Sequence, residues 1–208
     1  MYICTVIYSE KMSKAAQTRQ LIIEKTASLF NKNGYAGTSL SDMTAATGLT
    51  KGSIYGNFKN KEEVSIAVFK HNAGTLATKM ELAISAESSA YLQLQAFLNF
   101  YRNNWTSIFE KGGCPMLNTA TEMDDALPFM KPAVQQSFKG LAKRVTKIID
   151  KGIGQNEFKL VNDSTAYANL FIMLIEGGIL LSKTFEKPDN LNLALNRIQK
   201  IIDEEIVK

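Results

Sequence analysis

Between residues 38 and 61 the chain concentrates side chains that can contact double-stranded DNA. Lysine and asparagine can donate hydrogen bonds to base edges in the major groove, while lysine, threonine, serine and tyrosine can donate them to phosphates. Lys51 is the first candidate for a guanine or a phosphate, and Asn57 is the candidate for an adenine or a phosphate. The other candidate DNA contacts are Ser39, Thr50, Gly52, Ser53 and Tyr55, with Lys59 and Lys61 as phosphate clamps.

Several of these candidates have an ordinary structural alternative. Lys51 can simply be a solvated surface lysine, and Tyr55 can belong to the core instead of contacting a phosphate or a thymine methyl group. Ser39 and Thr50 are expected to cap helices and also to present hydroxyls and amides to phosphates.

Two predicted helices and a tight turn precede the contacting segment. The first helix spans residues 18–33, where apolar residues recur at spacings of three, four and seven. The second begins after Ser39, whose spacing from Asp42 is that of a capping box, and it runs to about residue 47. Gly48 can adopt the positive φ that the turn requires.

The candidate contacts lie on a short third helix, predicted over residues 51–58 with Thr50 as its cap. Ile54 and Phe58 are four residues apart and are assigned to the core, which leaves the opposite side of the helix facing outward. A short helix that follows a sharp turn fits the major groove of DNA, so the pattern predicts a helix-turn-helix.

Longer amphipathic helices, with no competing strand pattern, make up the rest of the chain. They are predicted at residues 61–86, 89–110, 115–123, 129 or 131 to 153, 164–185 and 189–207. The fold class is therefore all-α: an N-terminal three-helix DNA-binding head and a larger C-terminal helical body for ligand binding and dimerisation. The expected domains are an extension or disordered arm at 1–12, the head at 13–62 and the body at 63–208.

The positive charge of the chain is concentrated in its N-terminal third. Residues 12–73 carry eight Lys or Arg against four Asp or Glu, whereas residues 74–208 carry fifteen of each. Attraction to phosphates requires this kind of basic module on a neutral body, although random scatter alone can also produce an excess of this size.

Composition excludes several other classes of protein. Hydrophobic residues make up 45% of the chain, which is enough for a core, and no apolar run reaches the length of a membrane span. Cys4 and Cys114 lie far apart, so a disulfide framework is not expected and a reducing cytoplasm fits. His71 is the single histidine, and no Cys/His cluster indicates a metal site or a cofactor.

Residues 48–63 (GLTKGSIYGNFKNKEE) resemble the signature of the TetR (tetracycline-repressor) family of bacterial regulators. The preceding pattern agrees with it at Phe30, Gly34, Tyr35, Thr38, Ser39, Leu40, Asp42 and Met43. The specific resemblance covers residues 18–64. In the body, residues 113–118 and 176–179 are similar to segments of some members.

The chain departs from the family pattern at three positions. Thr44 and Thr47 stand where alanine is common, and both are small enough to pack. Gly56 stands where an aromatic residue is frequent. Glycine costs a helix about 1 kcal/mol relative to alanine, but it permits close approach to DNA and leaves the base preference unassigned.

The resemblance implies a homodimer whose two heads bind a palindromic operator. It further implies that a small ligand in each body shifts the heads and releases the DNA, and that the protein represses transcription. An activator would share all of this chemistry.

Aromatic, methionine and acidic side chains of the body are the candidates for the effector pocket, because such pockets are mostly apolar with few polar groups. They are Phe97, Phe100, Tyr101, Trp105, Met116, Met123, Phe138, Phe171, Met173 and Glu176. Plain core packing is the alternative for each of them. Glu176 lies within an apolar run and either orients a ligand or reaches solvent or a helix end.

The predicted dimer seam joins the last two helices of each protomer. Its candidates are Gly177, Gly178, Ile179, Leu191, Leu195, Ile198 and Ile202, because paired glycines permit close helix crossing and the others form an apolar face. A two-fold interface of this kind matches a palindromic site.

Two other functions compete with a ligand-responsive repressor. One is an architectural DNA-binding protein without regulation, which would show no preference for a defined palindrome. The other is an enzyme, which would need Cys114, His71 and Glu176 adjacent in space. Cys114 alone is interpreted as a packed thiol in preference to a redox sensor.

Overall fold

The computed structural model describes residues 13–123, 127–159 and 163–208, so the predicted extension at 1–12, including Cys4, lies outside the described residues. Within these ranges the chain forms nine α-helices. They are α1 (Lys14–Asn33), α2 (Leu40–Thr47), α3 (Lys51–Asn57), α4 (Lys61–Ser85), α5 (Ala90–Glu110), α6 (Pro115–Met123), α7 (Lys131–Gly154), α8 (Ser164–Thr184) and α9 (Asp189–Ile201). The all-α prediction is confirmed.

Side-chain caps set most helix starts near the predicted positions, but the start of the first helix and the end of the last helix differ from the prediction. α1 starts four residues before the predicted Thr18, because the hydroxyl of Ser13 accepts a hydrogen bond from the Ala16 amide at 3.2 Å. The last helix leaves α-geometry earlier than predicted. A π-helical segment, Ile202–Ile206, follows α9, and Val207 then forms an isolated antiparallel bridge with Phe158.

The head consists of α1, α2 and α3 packed around a small apolar core. Ile22 and Phe30 of α1, Met43 of α2 and Ile54 of α3 are all fully buried. Phe58, which ends α3, is also buried, so the predicted core positions of the head are where the sequence placed them.

α4 connects the head to the body and packs against both, contacting α1 on one side and α5, α6 and α7 on the other. In the body, α8 lies between α7 and α9 and makes its most extensive contacts with α9. By length and composition alone α8 could cross a bilayer, although Glu176 interrupts its apolar run. Its packing on α7 and α9 is that of a helix in a bundle.

The close helix crossing at Gly178 lies inside one protomer. A Cβ at this position would be 3.0 Å from Leu191 Cα and 3.1 Å from Ala194 Cβ, both on α9. Gly177, by contrast, faces outward.

Most of the residues assigned from the sequence to a dimer seam are therefore core residues. Ile179, Leu191, Leu195, Ile198 and Ile202 are buried between α8, α9 and the rest of the body, so they offer no surface to a partner. The structure corrects the assignment of these residues and of Gly178. An apolar stripe at helical spacing shows that a face is buried, but not whether the same protomer or another one covers it.

We expect Gly178→Ala to lower the free energy of unfolding by about 1–3 kcal/mol, because the new methyl group meets the α9 backbone and overpacks the crossing. Gly140→Ala on α7 is the matched control, since a Cβ there meets nothing within 4 Å. The control should gain up to about 1 kcal/mol from helix propensity. Urea denaturation of both variants is the measurement, and equal stability would contradict the packing argument.

Candidate functional site

The turn between α2 and α3 is fixed by two local devices. The Ser39 hydroxyl accepts from the Asp42 amide at 3.1 Å, and Asp42 Oδ2 accepts from the Ser39 amide at 2.7 Å. The bonds from the Ser39 hydroxyl and amide to the carboxylate lower the pKa of Asp42. Gly48 has a φ of 71° and donates its amide hydrogen to the Thr44 carbonyl at 2.9 Å, which ends α2 and starts the turn.

α3 presents one face to the core and the rest to solvent. Thr50 caps it by accepting a hydrogen bond from the Ser53 amide at 3.1 Å, and Ile54 is its buried residue. Tyr55 is 37% exposed, so its ring lies at the surface and the core alternative does not apply. The exposed residues of this face are Lys51, Gly52, Tyr55 and Gly56. Lys59 follows shortly after α3, and Ser39, which caps α2, is also exposed.

Besides the capping hydroxyls of Ser39 and Thr50, two more of the predicted contacts already have partners within the protein. The Asn57 amide nitrogen donates to the Ser53 carbonyl at 2.9 Å, and Lys61 Nζ donates to the Ala36 carbonyl at 3.1 Å. Each side chain keeps further hydrogens for DNA, because an amide nitrogen carries two and an ammonium group three. Ser53 is half-buried, whereas Thr50 is exposed.

Arg19 of α1 holds the C-terminal end of α3, a role that the sequence did not reveal. Its Nη1 donates to the Asn57 carbonyl at 2.6 Å, and its Nη2 donates to Glu63 Oε1 at 2.8 Å. The guanidinium also lies 3.9 Å from the centre of the Phe58 ring. Since Arg19 and Asn57 are far apart in the chain, no local pattern could have identified the pair.

Glu63 completes this anchor from α4. Its Oε2 accepts from the Lys59 amide at 2.8 Å while its Oε1 accepts from Arg19. The Lys59 amide is the main cause of the lowered pKa of Glu63, and the Arg19 bond adds to it. The segment after α3 is thereby hydrogen-bonded to α4, and through Glu63 also to Arg19 of α1.

The predicted pocket residues divide between the core and three separate cavities. Phe97, Tyr101 and Phe171 are fully buried core side chains. Trp105 is half-buried, with its ring 5.5 Å from that of Phe109, and Met123 packs partly buried against the core.

The four other predicted apolar pocket residues do line cavities, but not the same one. Phe100 lines a cavity of about 270 Å³ between α1, α4 and α5. Met116 lines a cavity of about 480 Å³ between α4, α6 and α7. Phe138 and Met173 line an open groove between α7 and α8, and Met173 is 64% exposed there.

Glu176 pairs with Cys114 in the interior of the body. The thiol donates to Glu176 Oε1 at 3.1 Å, and both side chains are buried. Burial raises the pKa of Glu176 to about 7, and burial together with the nearby Glu176 also raises the pKa of the Cys114 thiol well above its usual value. Such a thiol is a poor nucleophile and a poor redox sensor, which agrees with its interpretation as a packed thiol.

Of the three residues weighed for catalysis, only Cys114 and Glu176 are joined by a hydrogen bond within the described ranges. His71 lines the cavity between α1, α4 and α5, and within the described ranges no hydrogen bond joins it to Cys114 or Glu176. The same ranges contain no group of three His, Cys, Asp or Glu that could hold a metal ion.

A polar joint connects the head to the body. Asn31 Nδ2 of α1 donates to the carbonyls of Lys111 at 2.7 Å and Gly113 at 3.1 Å, in the turn after α5. Asn118 of α6 donates back to the Asn31 carbonyl at 3.1 Å. Glu122 accepts from the Tyr35 amide at 2.8 Å. No local pattern indicates this joint, because its members lie about eighty residues apart in the chain.

Two family models, one for the head and one for the body, match this chain. Residues 22–68 match the family model described as bacterial regulatory proteins, tetR family, and residues 90–198 match the model of the tetracyclin repressor-like C-terminal domain.

Solved structures and a curated relative agree with these family models. A TetR-family transcriptional regulator from Cytophaga hutchinsonii is 38% identical with a TM-score of 0.90, over 96% of this chain and 100% of that one. A TetR regulator from Chloroflexus aurantiacus is 32% identical with a TM-score of 0.86, over 94% and 99%. The HTH-type transcriptional repressor ComR of Escherichia coli is 32% identical over 106 residues, half of each chain.

We expect Arg19→Met to loosen α3, because methionine keeps the apolar stem but lacks the guanidinium that donates to the Asn57 carbonyl and lies over the Phe58 ring. Loss of the bond to the Asn57 carbonyl alone is worth ~1 kcal/mol, or about fivefold faster local opening, and the lost contacts with Glu63 and the Phe58 ring add to it. Amide hydrogen exchange of residues 51–57 measures it. Lys25→Met, at an exposed position of α1, is the control, and equal exchange in the two variants would rule out the anchoring role.

Proposed function

The chain belongs to the TetR family of DNA-binding transcriptional regulators, and from that membership we propose that it is a repressor acting in the cytoplasm. As a homodimer it binds a palindromic operator, and a small, partly apolar effector releases it from the DNA. The single observation that carries the proposal is the exposed face of α3, with Lys51 at its start and Lys59 after its end.

The geometry of α3 suits insertion into the major groove. Ile54 and Phe58 attach the helix to the head core, and Arg19 fixes its end, so the helix enters the groove as a rigid element. At Gly52 and Gly56 the DNA can come close to the backbone, because an added Cβ at Gly56 would meet nothing within 4 Å and at Gly52 only the Thr50 side chain. Lys51 and Tyr55 then lie beside bases or phosphates.

Exposed apolar residues of α8 and α9 support a homodimer. Met173, Leu180 and Leu181 lie on the outer side of α8, Phe185 follows its end, and Leu193 on α9 is 70% exposed. Together with the exposed Gly177 they form a surface, here called the α8–α9 outer face, that replaces the seam assigned from the sequence. A two-fold contact between two such faces places the two heads symmetrically, as a palindrome requires.

The internal cavities support an effector, and the relatives support repression. The cavity between α4, α6 and α7 and the cavity between α1, α4 and α5 both adjoin α4, the helix that joins head and body. Curated relatives that are named as repressors include ComR of Escherichia coli and DhaR of a Mycobacterium species.

An architectural DNA-binding protein is the alternative that one experiment separates from this proposal. The purified protein is used to select bound duplexes from a random pool in the presence of competitor DNA. We expect a defined inverted repeat to be enriched, and a reporter gene placed behind that sequence to be switched off by the protein. Enrichment without any common sequence would support the architectural alternative, and activation of the reporter would overturn repression.

Lys59→Met should weaken binding to the selected operator and to scrambled DNA alike, because a phosphate clamp acts on every sequence. The slope of log K against log salt should flatten by about 0.9 for each phosphate that the protein no longer neutralises, and a dimer carries two copies of the clamp. Binding titrations over a range of salt concentrations measure this slope. Lys147→Met, at an exposed position of α7 in the body, is the control and should leave the slope unchanged.

Leu193→Asp should convert the dimer into monomers, because a two-fold contact buries the new carboxylate against its own symmetry mate or against apolar side chains. Leu82→Asp is the matched control, since Leu82 is 67% exposed on α4, away from the α8–α9 outer face. Sedimentation velocity distinguishes the two states. A dimer that persists in Leu193→Asp but dissociates in Leu82→Asp would place the interface elsewhere.

A further inference from the structure

The cavity of about 270 Å³ is lined jointly by the head and the body. α1 contributes Glu24, Ala27, Ser28 and Asn31, while α4, α5, the turn after α5 and Pro115 at the start of α6 contribute the remaining walls. The cavity of about 480 Å³, by contrast, is lined by α4, α6 and α7 alone. A molecule in the smaller cavity would therefore touch the helix that carries Arg19.

The charges at this cavity favour an anion. Lys79 of α4 and Lys111 after α5 both line it and are exposed, and neither side chain has a hydrogen-bond or ion-pair partner in the described parts of the chain. The one acidic residue of the lining, Glu24, already accepts a hydrogen bond from Gln20 at 2.7 Å. The neutral Gln20 amide leaves the charge of Glu24 in place, so the lining carries two unpaired ammonium groups against one carboxylate and has an excess of positive charge.

The inner part of the lining combines an apolar floor with unused polar groups. Leu76, Phe100 and Ile108 supply the apolar surface. The imidazole of His71 and the hydroxyl of Ser107 line the same space, and within residues 13–123, 127–159 and 163–208 neither has a hydrogen-bond partner. Small-molecule sites typically have this composition, with an apolar wall and a few polar groups that fix orientation.

We propose that this cavity between α1, α4 and α5 binds a small organic anion with an apolar or aromatic tail, and that this molecule is the effector. The anionic group lies between Lys79 and Lys111, and the tail lies on Leu76 and Phe100. The assignment rests on the proposed function, namely that an effector releases the operator.

The contacts around the cavity give the effector a direct route to α3. Asn31 donates to the turn after α5, and Asn72 Nδ2 of α4 donates to the Ala27 carbonyl at 2.9 Å, so α1 is tied to the body at the edge of the cavity. A tail inserted beside Ala27 and Asn31 changes how α1 lies on α4. α1 is rigid over the ~18 Å that separate Asn31 from Arg19, and Arg19 holds the end of α3.

The test uses 4-phenylbutyrate as the probe, with 4-phenyl-1-butanol as its uncharged analogue. Calorimetry on the full chain should show binding of the anion at least about tenfold tighter than binding of the alcohol, the effect of one well-placed charge. Lys79→Glu and Lys111→Glu should each weaken the anion about tenfold or more. Lys70→Glu, on the same helix but at the cavity between α4, α6 and α7, should leave binding unchanged.

Further measurements connect binding to release of DNA. Thr75→Trp, which fills the cavity from an exposed position of α4, should abolish binding of both probes without altering the thermal unfolding midpoint. The anion should weaken operator binding by the wild type and not by Lys79→Glu.

Three results would overturn the assignment: no binding of the anion at millimolar concentration, loss of binding in Lys70→Glu with retention in Lys79→Glu, or anion binding that leaves operator affinity unchanged. A chain that binds no operator but still binds the anion through Lys79 would overturn the proposed function and the effector role, and leave the binding site standing.

Discussion

The C-terminal end of α3 is held by a single guanidinium group, that of Arg19. The helix has only seven residues, and an isolated helix of this length does not persist in water. Its start is fixed by the Thr50 cap and its middle by Ile54, but its last carbonyl and the chain beyond it are held by Arg19 and Glu63. A shift of α1 therefore also shifts the end of α3, and in the proposed function α1 is the element through which the body acts on the head.

The head–body joint has the properties that such a transmission requires. Beside the apolar packing of α1 on α4, it contains hydrogen bonds between side-chain amides and backbone carbonyls, at Asn31 and Asn118. Lys183 of α8 adds a bond to the Gly112 carbonyl at 2.5 Å, so the helix that bears the α8–α9 outer face also reaches the joint. Directional bonds of this kind fix one arrangement but can be exchanged for others at little cost, whereas a packed core resists gradual deformation.

The interior of the body carries a different constraint at Glu176. Its Oε1 accepts from Cys114, whereas its Oε2 and the Tyr101 hydroxyl are buried without a hydrogen-bond partner among the described residues. A carboxyl whose pKa is raised by burial stabilises the folded state below its unfolded pKa, and this contribution is lost as the pH rises through about 7. The sequence identified Glu176 as unusual from its apolar surroundings, but not that a thiol would be its partner.

Elements whose causes are local could be predicted closely from the order of the amino acids alone. The Ser39 capping box, the Gly48 turn and the Thr50 cap each depend on residues no more than four positions apart, so the helix-turn-helix and the bounds of α2 and α3 followed from spacing. Three-dimensional packing was needed to establish which buried faces belong to one protomer, which pocket candidates share a cavity, and that Arg19 holds α3. Apolar periodicity shows that a helix face is covered but not which element covers it. A hydrogen bond between residues distant in the chain does not appear in the local spacing of the sequence.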